Sequence, residues 1–154
     1  MKNTEDAFKW MVEIIGKHKI PFQITGGLAA RIYGSSRPLA DIDIEIPKNK
    51  FKYILEEVKD YIKFGPKIFK DDNWDLYLMT LDYAGQEIDI CDSNSKIKDY
   101  MTEKWIENRV DFSRVVIQDI FGLRTPVVPI EDLIRYKKIL KREVDVEDIK
   151  NLSK

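Results

Sequence analysis

Two short segments of this chain place carboxylates in alternation with isoleucine. Residues 41–46 read DIDIEI, and residues 87–90 read EIDI. An alternation of period two is typical of β-strands, so each segment would have one apolar face and one acidic face. Carboxylates two residues apart on a strand lie about 6–7 Å from each other and repel. A bound divalent cation would remove that repulsion, and the pattern therefore indicates a metal site.

Three aspartates are the candidate ligands. Asp41 and Asp43 would project from the same face of one strand, and Asp89, on a strand nearby, could complete a cluster. Hard oxygen ligands of this kind suit Mg²⁺, which takes much of its coordination shell from water and substrate phosphates. Two such ions would stabilise the attacking and the leaving oxygen in a displacement at phosphorus.

A pair of glycines, Gly26 and Gly27, precedes the first acidic segment. A short strand is predicted over residues 22–25 and a short helix over residues 28–33, so the pair joins the two. Glycine lets a ligand phosphate approach the backbone closely, and free N–H groups at the start of a helix bind anions. This part of the chain is therefore a candidate phosphate site.

The remaining hydrophobic pattern predicts an α/β (α+β) fold. Helices interleave with strands, and short turns join the strands after residue 60, which favours a mixed β-sheet with antiparallel hairpins flanked by helices. A short C-terminal helix pair would close the chain. Helices are predicted over 4–16, 51–62, 100–108, 130–140 and 144–152, and further strands over 64–69, 74–81, 115–121 and 125–128.

Length and composition exclude several classes of protein. The 154 residues fit a single domain, residues 1–154, with the helices of about 130–152 appended. The net charge of −1 gives no global basic field for nonspecific nucleic-acid binding, and the single cysteine, Cys91, excludes an internal disulfide framework. No apolar run approaches the roughly 20 residues of a membrane span, and the polar residues at the N-terminus are not expected to form a signal peptide. We expect a cytoplasmic protein without a membrane partner.

The segment of residues 26–47, GGLAARIYGSSRPLADIDIEIP, resembles the signature of the nucleotidyltransferase superfamily, whose fold is that of polymerase β. In that signature, Gly-Gly or Gly-Ser precedes a short helix and an Asp-x-Asp strand. The spacing of Arg37 before Asp41 and Asp43 looks most like the lincosamide and aminoglycoside adenylyltransferases and the AbiEii-type proteins. Asp89 matches the family's third carboxylate, and residues 128–149 are similar to its C-terminal helix pair.

The resemblance implies a role for each matching residue. Gly26 and Gly27 would contact phosphate, and Asp41 and Asp43 would hold the metal ions. Asp89 would be either a third metal ligand or the general base for the acceptor hydroxyl, and the sequence does not choose between them.

Other polar residues have two possible interpretations. The loop Ser35, Ser36 and Arg37 could contact a triphosphate, because arginine is a forked donor to phosphate, or it could be a solvated turn. Glu45 shares the acidic face of the strand, but the family pattern does not need it, and a surface role is expected. A run of basic residues is expected to be a solvated helix face that could also reach a triphosphate: Arg135, Lys137, Lys138, Lys141 and Arg142.

The resemblance implies Mg²⁺-dependent transfer of a nucleoside monophosphate from a nucleoside triphosphate to a hydroxyl group, with release of pyrophosphate. The acceptor stays open as a small molecule, RNA or protein, and a homodimer partner is possible. The alternative is a binding or regulatory module of the toxin–antitoxin type, with a protein partner and little catalysis. A metal-dependent phosphohydrolase is disfavoured, because it usually needs histidine ligands and the single histidine, His18, is badly placed.

Overall fold

Nine strands form one mixed β-sheet in the computed structural model, which describes residues 2–152. The predicted α/β class, the antiparallel hairpins and the C-terminal helix pair are confirmed. The helices are α1 (Thr4–Lys17), α2 (Gly26–Ile32), α3 (Phe51–Val58), α4 (Ile130–Leu140) and α5 (Glu143–Asn151). The strands are β1 (Gln23–Thr25), β2 (Asp41–Ile46), β3 (Ile62–Lys70), β4 (Trp74–Tyr83), β5 (Gln86–Asp92), β6 (Asn94–Lys98), β7 (Trp105–Arg109), β8 (Val116–Ile120) and β9 (Leu123–Val127).

The sheet has the strand order β7-β6-β4-β5-β2-β1-β9-β8, and β3, which is not in this order, also pairs with β4. Most neighbours are antiparallel, but β2 and β5 are parallel, as are β1 and β9. The parallel register of β2 and β5 sets Asp41 opposite Glu87 and Asp43 opposite Asp89. Because opposed residues point to the same side of a sheet, this register gathers the acidic residues of both segments on one face.

The apolar face of the two acidic strands forms the centre of the core. Ile42, Ile44, Ile88 and Ile90 are fully buried and belong to one cluster with residues of α1 and α3. The alternation of isoleucine and carboxylate thus fixes both faces of the sheet at once, since a slip of one residue would bury the acids and expose the isoleucines.

The N-terminal helix covers this core. Its amphipathic pattern buries Phe8, Met11 and Ile15, and the side chain of Asn3 caps it by accepting a hydrogen bond from the Asp6 N–H at 3.0 Å. With 14 residues α1 is the longest of the described helices. None of the helices within residues 2–152 has the length and apolar character that a membrane crossing requires.

The helix predicted over residues 100–108 is wrong. The structure has a turn there, in which the Asp99 side chain accepts the backbone N–H of Met101, followed by strand β7. The residues of β7 alternate between exposed and half-buried side chains, which is the period of a strand, and they pair with β6. Five residues are too few for this alternation to stand out against a helical pattern in the sequence alone.

Ile44→Ala should lower the free energy of unfolding by about 2–5 kcal/mol, because it leaves a cavity at the centre of the sheet. Urea denaturation measures this change. Ile117→Ala is the matched control, since Ile117 lies on β8 with 46% of its side chain exposed, and its effect should stay within about 0.5 kcal/mol. Equal effects of the two substitutions would contradict this description of the core.

Candidate functional site

A cleft of about 520 Å³ lies over the acidic face of the sheet. Its floor comes from β2, β4 and β5, one end is formed by the two glycines, and its wall includes residues of α4 and the segment that leads into α5. The side chains around it fall into an acidic group, a basic group and an apolar group. Its main lining residues are Gly26, Gly27, Arg37, Asp41, Asp43, Glu45, Phe69, Trp74, Leu76, Leu78, Thr80, Glu87, Asp89, Cys91, Tyr136, Lys137 and Arg142.

The acidic group contains all three predicted metal ligands. Asp41 and Asp43 point into the cleft from β2, and Asp89 lies opposite Asp43 on β5. Gly26 completes this arrangement, because a Cβ atom at that position would overlap the carboxylate of Asp43. The φ angle of +62° at Gly26 also favours glycine. Gly26 therefore lies directly against the carboxylate as well as at the predicted phosphate site.

Burial and mutual repulsion favour the protonated form of these carboxyls when no cation is present. Burial raises the pKa of Asp43 to about 8, and the neighbouring carboxylates of Asp89 and Asp41 add to the effect. Burial and the charge of Glu87 also raise the pKa of Asp41. Burial raises the pKa of Asp89 as well, although a hydrogen bond from Thr80 opposes this. The acidic face therefore carries an electrostatic cost that positive charge would relieve.

The oxygen atoms present suit Mg²⁺, although they do not enclose an ion by themselves. Within residues 2–152, no group of three Asp, Glu, His or Cys side chains is arranged closely enough to hold a metal. Mg²⁺ is normally bound by one or two carboxylates together with water and substrate phosphates, so a complete protein cage is not required. Gly26 leaves room for the carboxylate of Asp43, which lines the cleft. Asp41 and Asp43 thus fit the predicted role.

Asp89 is fixed by a neighbouring strand. The hydroxyl of Thr80 on β4 donates a hydrogen bond of 2.6 Å to Oδ1 of Asp89. Thr80 and Asp89 are opposed residues in the pairing of β4 and β5, so the sheet itself sets this contact. The arrangement orients the carboxylate in the cleft and is compatible with both predicted roles, as a metal ligand or as a base.

The expectation of a surface role for Glu45 is wrong. Glu45 is 8% exposed, and its Oε1 atom accepts a hydrogen bond of 2.8 Å from the side chain of Gln23 on β1. Burial raises its pKa to about 7, against the effect of the Gln23 hydrogen bond. Glu45 extends the acidic floor of the cleft, because it lies between Gln23 of β1 and Cys91 of β5 in the middle of the sheet.

The basic group includes one residue of the predicted triphosphate loop. Arg37 lines the cleft, with its Nη2 atom beside Gly27, and its guanidinium donates to Asp148 of α5 through Nε at 3.1 Å and Nη2 at 2.8 Å. Ser35 is buried and donates a hydrogen bond of 2.9 Å to the same carboxylate. Ser36 is exposed and does not border the cleft. The structure thus brings Arg37, but not the two serines, to the surface of the cleft.

The basic run on the C-terminal helices is predicted to be a solvated face, and this prediction is only partly correct. Lys137 is 2% exposed and forms ion pairs with Asp148 at 3.0 Å and with Asp145 at 3.4 Å. Arg142 is half-buried and donates to Asp145 through Nε at 2.7 Å. Sequence reasoning missed this cluster. The available signal was the pair Asp145 and Asp148, whose spacing of three residues places both on one side of a helix.

The apolar group lies on the strands beyond Asp89. On the sheet, Phe69 of β3 lies opposite Leu76 of β4, and Leu78 follows two residues later on β4. These side chains extend the cleft past the carboxylates. Trp74 closes this end by donating a hydrogen bond of 2.7 Å from its indole to the hydroxyl of Tyr136. Cys91 is half-buried and borders the cleft, and burial raises the pKa of its thiol well above the ordinary value.

Comparison with known proteins identifies the fold. No family model matches the chain, and no curated protein matches it in sequence. A proposed nucleotidyltransferase from Thermotoga maritima superimposes with a TM-score of 0.74 at 16% identity, over 97% of this chain and 93% of its own. The lincosamide antibiotic adenylyltransferase LnuA, solved with lincomycin, gives 0.65 at 15% identity, over 98% and 97%. ANT(2″)-Ia, in complex with adenylyl-2″-tobramycin, gives 0.57 at 13% identity, over 96% and 86%.

The chain therefore has the nucleotidyltransferase fold. The resemblance seen in the sequence is confirmed at the level of the fold, and the matches extend over nearly the whole chain. The lincosamide and aminoglycoside adenylyltransferases are among the similar structures, as the spacing of Arg37, Asp41 and Asp43 indicates. The roles of individual residues stay predictions that rest on the geometry described above.

Gly26→Ala should lower the free energy of unfolding by about 1–3 kcal/mol, because it adds a strained backbone angle and an overlap with Asp43. Thermal unfolding measures the loss. Gly16→Ala is the matched control, since a Cβ atom there meets nothing within 4 Å, and it should be neutral or slightly stabilising. A stability of Gly26→Ala equal to that of the wild type would show that Asp43 does not lie against this glycine.

Asp43→Asn should stabilise the protein in EDTA, and the gain should increase with pH. The pKa of Asp43 is raised from 3.8 to about 8, so the wild type loses stability as the pH rises from about 4 to about 8. The asparagine variant lacks this loss, and its advantage should reach about 1–3 kcal/mol at pH 8 and stay constant above it. Urea denaturation at pH 5, 6.5 and 8 measures the difference. An advantage that shrinks over this range would contradict the proposed repulsion.

Proposed function

We propose that this protein is a Mg²⁺-dependent nucleotidyltransferase. It would move a nucleoside monophosphate from a nucleoside triphosphate to a hydroxyl group of an acceptor and release pyrophosphate. The observation that carries the proposal is the meeting of Asp41, Asp43 and Asp89 in one cleft with Gly26 against Asp43 and with Arg37 beside Gly27. Carboxylates for a metal ion thus adjoin groups that accommodate and attract phosphate.

Each part of the cleft has a role in binding the triphosphate. Asp41 and Asp43 would hold the metal, which when bound neutralises charge on the phosphates and on the leaving pyrophosphate. The absence of side chains at Gly26 and Gly27 lets a phosphate approach the backbone. Arg37 and Lys137 supply positive charge in the lining of the cleft. The negative triphosphate would therefore lie between the metal-binding acids and two cations.

The transfer step forms one bond and breaks another at the α-phosphorus. The oxygen of the acceptor hydroxyl bonds to this phosphorus, the bond from the phosphorus to the bridging oxygen of the β-phosphate breaks, and pyrophosphate leaves. Asp89 would accept the hydroxyl proton, which its raised pKa favours, and Thr80 would keep the carboxylate oriented. The acceptor would approach from the apolar end of the cleft, which begins next to Asp89. Catalysis would come mainly from positioning and charge stabilisation.

A second candidate function is a binding or regulatory module of the toxin–antitoxin type. It is favoured by exposed apolar side chains on the β8–β9 hairpin, which are the kind of surface that a protein partner covers. They are Val116, Ile117, Phe121 and Leu123. On this account, the cleft would bind nucleotide weakly or not at all, and a stable complex would form instead.

Incubation with α-³²P-labelled triphosphates, Mg²⁺ and a cell extract distinguishes the two candidates. The enzyme should transfer label to a small molecule, an RNA or a protein, and the fraction that carries label would identify the class of acceptor. The regulatory module would leave the label in the triphosphate and would co-purify with a partner. Absence of transfer with every triphosphate and extract fraction would overturn the proposed activity.

Asp41→Ala and Asp43→Ala should each abolish transfer, with losses of at least about 100-fold, because the metal would lose one of its protein ligands. Pyrophosphate release measures the loss, and thermal unfolding confirms that the variants fold. Asp60→Ala is the control, since Asp60 is exposed on the turn after α3 and does not border the cleft. Wild-type rates of pyrophosphate release in both cleft variants would refute the assignment of the site.

A further inference from the structure

Five charged side chains form a buried network between α5, α4 and the loop after α2. Asp148 of α5 is fully buried and accepts hydrogen bonds from Ser35 and Arg37 of the loop, and it forms an ion pair with Lys137 of α4 at 3.0 Å. Asp145, one turn earlier, is also fully buried, and it pairs with Lys137 and Arg142. A single carboxylate, Asp148, thus joins three parts of the chain.

In this network the positive side chains lie nearer to the cleft than the negative ones. The cations Arg37, Lys137 and Arg142 border the cleft, whereas Asp145 and Asp148 do not and lie behind them. Three cations and two anions leave one net positive charge on this wall. The charge acts on the acidic group, because Lys137 lowers the pKa of Asp43 against the larger effect of burial. The anions therefore hold the cations in place without removing their effect from the cleft.

We propose that Asp148 is a positioning residue, which holds Arg37 and Lys137 at the wall of the cleft so that both can bind the phosphates of the nucleotide. The inference rests on the proposed function and adds a role for α5, a helix that has no residue in the predicted metal site. Asp148 binds Arg37 through two parallel N–H groups, which fixes the plane of the guanidinium beside Gly27. The same carboxylate restrains the flexible side chain of Lys137.

The cost of burying these charges supports a functional role. A buried ion pair contributes little net stability compared with apolar side chains of similar size. An apolar contact would therefore attach α5 to α4 equally well. It would not orient two cations toward one cleft, which is what the positions of Asp145 and Asp148 accomplish.

The test compares two ligands, inorganic tripolyphosphate with Mg²⁺ and Mg²⁺ alone. Asp148→Asn should weaken binding of tripolyphosphate at least tenfold, because Arg37 and Lys137 lose the group that orients them. The affinity for Mg²⁺ alone should stay within twofold, since Asp148 does not border the acidic floor. Isothermal titration calorimetry measures the affinity for tripolyphosphate, and a thermal-shift titration measures the affinity for Mg²⁺ alone. Asp148→Glu, which keeps the charge and lengthens the side chain, should give a smaller loss of about three- to tenfold and provides the test if the asparagine variant does not fold.

Ile134→Ala is the control for general destabilisation, because Ile134 lies on α4, packs against the core and does not border the cleft. It should lower the melting temperature and leave tripolyphosphate binding unchanged. Tripolyphosphate affinities of both Asp148 variants within twofold of the wild type would overturn the inference, as would an equal loss in Ile134→Ala. A wild-type protein that binds neither tripolyphosphate nor any nucleoside triphosphate with Mg²⁺ would instead refute the proposed function itself.

Discussion

Asp43 and Asp89 are opposed residues on two parallel strands, and the sheet brings their carboxylates to one side, together with that of Asp41. The sheet cannot separate them without a change of register, and such a change would also expose the isoleucines that fill the core. Burial raises the pKa of Asp43 to about 8, and the repulsion adds to this. The fold therefore maintains an acidic face that is unfavourable without a cation, and the rest of the cleft is built around that face.

Two features of the cleft complement this constraint. Gly26 has no side chain and thereby leaves room for the carboxylate of Asp43 beside the backbone. Lys137 and Arg37 form a positive wall, and burial of Asp148 behind them is possible because their hydrogen bonds and charges outweigh desolvation and lower its pKa to about 2. An acidic floor and a basic wall in one cleft suit a ligand that combines a divalent cation with several phosphate charges.

The sequence predicts the parts of this site that depend on local pattern. The alternation in residues 41–46 predicts both the strand and its acidic face, since this signal lies within a few residues. The phosphate site at the two glycines stays a prediction. The spacing of Asp145 and Asp148 shows locally that both lie on one side of a helix. The partners of Asp148 include residues more than 100 positions away, such as Ser35, and no local pattern reveals those contacts. The burial of Glu45 also depends on distant residues, because Glu45 lies between Gln23 of β1 and Cys91 of β5 in the sheet. The incorrect prediction of a helix over residues 100–108 shows that the alternation in a strand of five residues is too short to be distinguished from a helical pattern.

Binding of a nucleoside triphosphate to the acidic face through a divalent cation can be measured with the wild-type protein. The experiment is a calorimetric titration with a non-hydrolysable α,β-methylene triphosphate, first with Mg²⁺ and then with EDTA. We expect saturable binding of one triphosphate per chain with Mg²⁺ and a loss of affinity of at least about tenfold without it. Equal affinity under both conditions, or no binding in either, would show that the acidic face does not bind a triphosphate through a cation.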